Sequence, residues 1–226
     1  MPTRLTSLSV IIPTLNASQF LSATLVGVGD VGEIVVADGG STDNTIELAL
    51  GHRARVVRSV AGRGQQLIAG AAAARSDWLL FLHADTVLEA GWHEEVHEFI
   101  GNPENATRAA TFRFALDDGC REARRLERLV AWRTRFVGLP YGDQALVINR
   151  QFYASLGGYH PWPLMEDVDL ARRIGRSRLT VFRSAARTSA DRWRRDGWYR
   201  RSLRNLSCLT LYLLGLPPEF IQKIYD

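Results

Sequence analysis

The chain has 226 residues, 46% hydrophobic and 23% charged, a balance that supports a large packed core and excludes a disordered polymer. Two cysteines, Cys120 and Cys208, exclude a disulfide framework and a cysteine-based metal centre and point to a reducing compartment. The formal charge of +4 and the pI of about 9.4 come almost wholly from arginine, since Lys223 is the only lysine.

Leu8 to Ile12 predicts a strand stopped by Pro13, and Ser18 to Val26 predicts a helix. Glu33 to Val36 and Ala54 to Arg58 predict two further strands, with a helix over Asp43 to Leu50 between them. The alanine-rich run from Gln65 to Arg75 is a strong helix former. Trp78 to Leu82 is continuously apolar, which fits an interior strand of a parallel sheet, and a helix follows over about Gly91 to Ile100. This rhythm predicts an α/β fold, a mostly parallel sheet with helices on both faces. After Asn102-Pro103 the pattern loosens. Strands are expected over Ala109 to Phe114, Ala145 to Ile148 and Leu179 to Phe182; helices over Gly119 to Val137, Glu166 to Arg173 and Gly197 to Leu214. The start of the chain lacks the apolar core of a signal peptide, so the expected location is cytoplasmic. Leu209 to Leu216 is too short to span a bilayer, which leaves peripheral membrane contact or a homodimer through the C-terminal helix open.

Two motif-like strings fail on context. Gly27-Val28-Gly29-Asp30-Val31-Gly32 matches a dinucleotide fingerprint but follows a helix and precedes a strand, the reverse of what that motif needs. His93-Glu94-Glu95-Val96-His97 matches a zinc-protease string, yet its neighbours are polar and no third histidine follows, so a solvent-facing helix is expected. Two other constellations carry chemistry. Asp85 stands just past the buried strand, where ligands bind in open α/β sheets; a helix N-cap is the competing reading. Asp38 ends another strand ahead of Gly39-Gly40-Ser41-Thr42-Asp43, where glycines allow a tight turn and a close ligand approach. Arginines are dense from Arg172 to Arg204, suited to phosphate, anionic lipid or nucleic acid, or simply to a solvated surface.

Taken in order, Val10-Ile11-Ile12-Pro13-Thr14-Leu15-Asn16, the Asp38 turn, Gly62-Arg63-Gly64-Gln65-Gln66, His83-Ala84-Asp85, Leu164-Met165-Glu166-Asp167-Val168-Asp169 and Ser189-Ala190-Asp191-Arg192-Trp193 resemble the family-2 glycosyltransferases of GT-A fold over nearly the whole chain. The His-Ala-Asp form is most similar to a soluble bacterial subgroup associated with radical-SAM/selenodomain proteins. The resemblance implies one GT-A domain, with residues 1–102 as the nucleotide-binding half, 103–196 as the acceptor half and 197–226 as a helical segment. It implies metal-dependent, inverting transfer of one sugar from a nucleotide-sugar, UDP-linked, to a small or lipid-linked acceptor hydroxyl. Pro13, Thr14, Asn16, Asp38, Arg63, Gln66 and His83 would serve the nucleotide, and Asp85 would hold Mg²⁺ or Mn²⁺. Asp167 would be the general base, with Glu166 tuning it or shaping the acceptor site. Asp143, Trp162, Arg192 and Trp193 would serve the acceptor, and Trp162 could stack on a sugar face.

Three positions depart from the family's pattern: His83 replaces an acid, Gly39 replaces the second acid of a pair, and Ile68 replaces a common asparagine. Ser189 stands where processive polysaccharide synthases carry glutamine, which favours single-sugar transfer. Two other functions compete. One is a non-catalytic nucleotide or nucleic-acid binding protein, in which Trp193, Trp198 and Tyr199 stack between the late arginines, a disfavoured reading. The other is a sugar-phosphate nucleotidylyltransferase, which would want a glycine-rich loop after the first strand, where this chain has Pro13-Thr14-Leu15-Asn16.

Overall fold

The computed structural model describes residues 5–225. In chain order the elements are β1 (Leu5–Thr14), α1 (Ser18–Val28), β2 (Val31–Asp38), α2 (Thr45–Gly51), β3 (Arg55–Arg58), α3 (Arg63–Ala73), β4 (Trp78–Phe81), β5 (Thr86–Leu88) and α4 (Trp92–Gly101). They continue with β6 (Ala109–Leu116), α5 (Arg121–Val137), β7 (Leu146–Asn149), α6 (Arg150–Ser155), α7 (Glu166–Ile174), β8 (Leu179–Thr188), α8 (Asp191–Asp196), α9 (Trp198–Leu213) and α10 (Pro218–Tyr225). One sheet runs in the order β3-β2-β1-β4-β7-β6-β8-β5. Its β3-β2-β1-β4 half is parallel, whereas β7 is antiparallel to both β4 and β6, and β5 is antiparallel to β8.

The two-residue period of a strand divides the core cleanly between the faces of this sheet. Val10 and Ile12 of β1 and Trp78 and Leu80 of β4 pack with Leu21, Trp92 and Val96 on one side. Their neighbours Ile11, Leu79 and Phe81 pack with Leu67, Phe152 and Leu170 on the other. Gly32 shows how tightly β2 lies against β1, since a Cβ there would fall 2.3 Å from the Thr6 carbonyl oxygen.

Several expectations shift. Strand β1 runs through Pro13 instead of stopping at it, because β4 ends opposite Ile11 and leaves that side of Pro13 without a partner strand. Strand β5 and helices α6, α8 and α10 were not anticipated; β5 has three residues and forms only by pairing with β8, about a hundred positions away. The glycine string after α1 is a connecting turn, with Gly29 at φ 65°. On α4, His97 is exposed, His93 stacks on Trp92, and Glu95 accepts hydrogen bonds from the Arg183 and Ser184 backbone, so the helix docks on β8 and holds no zinc-type cluster. Among the described residues no group of three or more His, Cys, Asp or Glu could hold a metal, and no helix is long and apolar enough to cross a membrane.

Candidate functional site

The carboxyl ends of β1 and β4 open on a cleft of about 400 Å³, lined by residues 13–17 at the end of β1, by Arg63 and Gln66 of α3, by His83 to Asp85, and by Ser189 and Arg192. Beside it runs a hydrogen-bonded girder. Gln66, nearly fully buried, donates through Nε2 to the Thr14 and Ala37 carbonyls and so ties β1 to β2. Asn16, at φ 50°, accepts from the Thr42 N–H at 2.8 Å and donates its own N–H to Ser41 Oγ.

Asp38, expected to serve the nucleotide, belongs to the same girder. Its carboxylate is buried and accepts from Thr14 Oγ1, Ser41 Oγ and the N–H groups of Gly40 and Ser41. Burial pushes its pKa up, but these hydrogen bonds outweigh burial and hold it below the usual range. With four protein donors it shapes the turn, and it lines neither cavity described here.

Asp85 follows the buried strand as expected, but what comes next is β5, so the helix-cap reading fails. Its Oδ1 accepts only from Thr188 Oγ1 at 3.3 Å and Thr86 Oγ1 at 3.4 Å, long contacts that leave most of its lone pairs available. Its backbone oxygen receives the Ser189 N–H at 3.2 Å, so the end of β8 fixes its position. Arg192, one turn further on, is exposed and makes no ion pair with any described residue. His83 stands between these groups. Burial, aided by Arg63, lowers it to about 4 against the pull of Asp85 and Asp167, so at neutral pH it is an uncharged imidazole.

Arg63, His83, Asp85, Ser189 and Arg192 also wall a second, smaller cavity of about 100 Å³. Its far side is built by Tyr141, Asp143, Met165, Asp167, Trp193, Arg201, Asn205 and Tyr225. Glu166 and Asp167 open α7, yet neither caps it; the N-cap is Met165 at φ 67°. Instead Asp167 Oδ2 accepts the Gly142 N–H at 2.7 Å, and Glu166 Oε1 accepts from Arg63 Nε. Glu166 is wholly buried, and its Oε2 has no partner. Burial raises its pKa, with Arg63 as the main opposing charge. Burial likewise pushes Asp143 up to about 6, against Arg133 and with help from Asp167, and its Oδ1 is unpartnered.

The sequence-derived acceptor set is only partly assembled. Asp143 and Arg192 reach the inner cavity, whereas Trp162 stacks on His160 and lines neither space. Trp193 touches the cavity but is mainly core, packed with Phe114, Leu116 and Val130. That burial, and the dispersal of the late arginines into local pairs such as Arg173 with Asp169 and Arg194 with Asp118, remove the stacking platform a nucleic-acid reading needs. Sequence reasoning missed Arg133, which lies 3.5 Å over the Tyr141 ring, and also Thr188, Arg201 and Asn205. Nothing local marks them, since each becomes significant only through contacts far along the chain.

This architecture, a parallel half continued by a mixed half, is the GT-A fold. The sequence profile of Glycosyl transferase family 2 matches residues 9–154, and the chain belongs to that family. A "PGL/p-HBAD biosynthesis glycosyltransferase" of Mycobacterium bovis is 40% identical over 109 residues, a match covering 42% of each protein, so the chain spans well under half of that relative. Among solved structures, S. aureus TarS superposes with a TM-score of 0.63 at 14% identity, covering 97% of this chain and 69% of the other. Glucosyl-3-phosphoglycerate synthase from Mycobacterium tuberculosis, in complex with Mn²⁺, UDP and glucosyl-3-phosphoglycerate, superposes with a TM-score of 0.59 at 23% identity, covering 93% and 81%.

Proposed function

We propose that this chain transfers one sugar from a UDP-linked donor to an acceptor hydroxyl, with inversion. The observation that carries this reading is the shared wall: a cleft of nucleotide size adjoins a smaller cavity, lined by both aspartates and arginines, across Arg63, His83, Asp85, Ser189 and Arg192. The donor's nucleoside lies along residues 13–17 beside the Gln66 girder, and its diphosphate meets Arg192 and the underpartnered side of Asp85. The mycobacterial synthase complex with Mn²⁺ and UDP supports the choice of base and of ion.

The residues present fit a hard divalent ion. Asp85, a carboxylate with spare lone pairs, would hold Mg²⁺ or Mn²⁺, a hard ion that takes one or two carboxylates together with phosphate oxygens and water. When bound, such an ion supplies positive charge to the departing diphosphate. Asp167 takes the acceptor proton as that oxygen forms its bond to the anomeric carbon. The bond from that carbon to the diphosphate oxygen breaks on the opposite face, and its electrons leave with the nucleotide. Gly142 N–H holds Asp167 in place, while Arg63 and the buried Glu166 brace α7 against α3. Asp143 faces the acceptor, a small or lipid-linked hydroxyl compound. In this reading residues 1–102 carry the donor half, 103–196 the acceptor half and 197–226 the closing helices of one domain.

Calorimetry with UDP, with and without Mn²⁺, tests the donor side: Asp85→Ala should lose the Mn²⁺-dependent gain in affinity, and Asp167→Asn should keep it. Asp167→Asn should also lose transfer in an assay with UDP-sugars and hydroxyl acceptors. Full turnover by that variant would remove Asp167 from the role of base, and indifference of the parent to UDP plus Mn²⁺ would overturn the donor assignment.

A further inference from the structure

Helix α5 turns Ala123, Val130 and Thr134 toward the core, which points Leu129, Trp132 and Phe136 away from it. Helix α9 does the same, burying Arg201, Cys208 and Leu209 and presenting Tyr199, Leu203 and Leu206 outward. Each of these six outward side chains is more than half exposed, and they recur at three- and four-residue intervals, so each helix carries an apolar stripe on its solvent face. Side chains link the two helices near both ends. Arg125 Nη1 meets Tyr199 Oη at 3.3 Å near their first turns, and Leu139, just past α5, packs with Cys208 and Leu209 of α9. The stripes therefore share one side of the molecule, more apolar surface than a solvated face needs.

The charges around them are of one sign. Helix α5 carries six arginines against Glu122 and Glu127, and Glu127 is already held by Arg124 and the Leu116 N–H. Helix α9 carries three arginines and no acid. Arg128, Arg135 and Arg200 are exposed and form no ion pair with any described residue. A second copy of the chain would set one arginine-rich face against another across a two-fold axis. An anionic lipid surface satisfies both features at once, because it accepts apolar side chains to the headgroup boundary and offers phosphates to arginine.

We propose that the outer faces of α5 and α9 dock on an anionic membrane, with Leu129, Trp132, Phe136, Leu203 and Leu206 in the interface and Arg128, Arg135 and Arg200 against the phosphates. This rests on the two helices alone and is independent of the sugar-transfer reading. Its geometry has a bearing on the site, because Arg201, Asn205 and Cys208 on the inner face of α9 line the smaller cavity, one helix diameter from the docked surface.

The test is flotation of the purified protein with phosphatidylcholine vesicles, with and without phosphatidylglycerol. The protein should rise with the anionic vesicles only, and raised salt should weaken the association. Trp132→Glu and Leu206→Glu should each abolish flotation with an unchanged circular dichroism spectrum, their positions being exposed in the fold. Arg128→Ala and Arg200→Ala should each lower the partition coefficient about fivefold. Failure to bind anionic vesicles would overturn the proposal, as would binding that survives Trp132→Glu. A concentration-dependent dimer broken by Leu206→Glu, without vesicle binding, would reassign the face to a second copy.

Discussion

Replacing Arg63 with methionine removes the only side chain that hydrogen-bonds the wholly buried Glu166 carboxylate, while keeping most of the arginine's aliphatic volume. Breaking a buried pair from one side costs about 3–5 kcal/mol, because the remaining charge is left uncompensated. That is roughly a third of the stability of an ordinary domain, and with m near 3 kcal/mol/M it lowers the urea midpoint by about 1–1.7 M. The loss should depend on pH with a definite sign. Burial already raises the Glu166 pKa above its unfolded value, and Arg63 is the largest opposing influence, so its removal raises that pKa further. Below the unfolded carboxyl value, about 4.3, Glu166 is protonated in both states and no charge is stranded. As pH rises from there toward the new folded value the penalty grows by about 1.4 kcal/mol per unit, then levels off. Urea unfolding of nucleotide-free protein should therefore show a deficit that is small near pH 4.5 and full at pH 8. Adding Glu166→Gln to Arg63→Met should recover most of it at pH 8. Equal deficits at the two pH values, or a double variant no more stable than Arg63→Met, would refute the assignment of a stranded carboxylate.

Asp143, raised to about 6 by burial, destabilises the fold once ionised, so stability is lost as pH climbs from about 4 through 6. Asp143→Asn should gain on the parent between pH 5 and pH 7.5, by about 1–2 kcal/mol after allowing for partial exposure, and melting curves in metal-free buffer showing a constant difference would contradict this. Gln66→Ala removes two buried hydrogen bonds, to the Thr14 and Ala37 carbonyls, and should cost about 1–3 kcal/mol in chemical denaturation, a loss absent from an exposed control such as Gln19→Ala. A Cβ at Gly64 would fall 2.5 Å from the His160 oxygen and 2.7 Å from the Trp162 oxygen, both backbone atoms, whereas one at Gly51 meets nothing within 4 Å. Gly64→Ala should thus destabilise by about 1–3 kcal/mol and Gly51→Ala should not, as paired thermal melts would show.

The parallel half was legible because its signals are local. Five apolar residues from Trp78 to Leu82 could only be an interior strand, and the acid three residues on had to lie at its mouth. Family membership was legible through six short motifs in order. What sequence could not supply was the partner of each polar group. Asp38 looked available to a ligand, yet Thr14 and Ser41 already occupy it, and Thr14 stands twenty-four residues away. Trp193 looked like a stacking residue because it sits among arginines, but its burial against Phe114 comes from β6, across the sheet. The mixed half was harder still, since β5 is a three-residue strand whose existence depends wholly on β8.

The wall common to the two cavities has a thermodynamic consequence. A molecule in the cleft restrains Arg63, His83, Asp85, Ser189 and Arg192, and these same side chains define the room left for a molecule in the inner cavity. The two occupancies are thus linked, and linkage is reciprocal: whatever factor UDP imposes on the affinity for an acceptor, the acceptor imposes on UDP. An unidentified acceptor can accordingly be sought through the nucleotide, as a compound that changes the apparent affinity for UDP without resembling it.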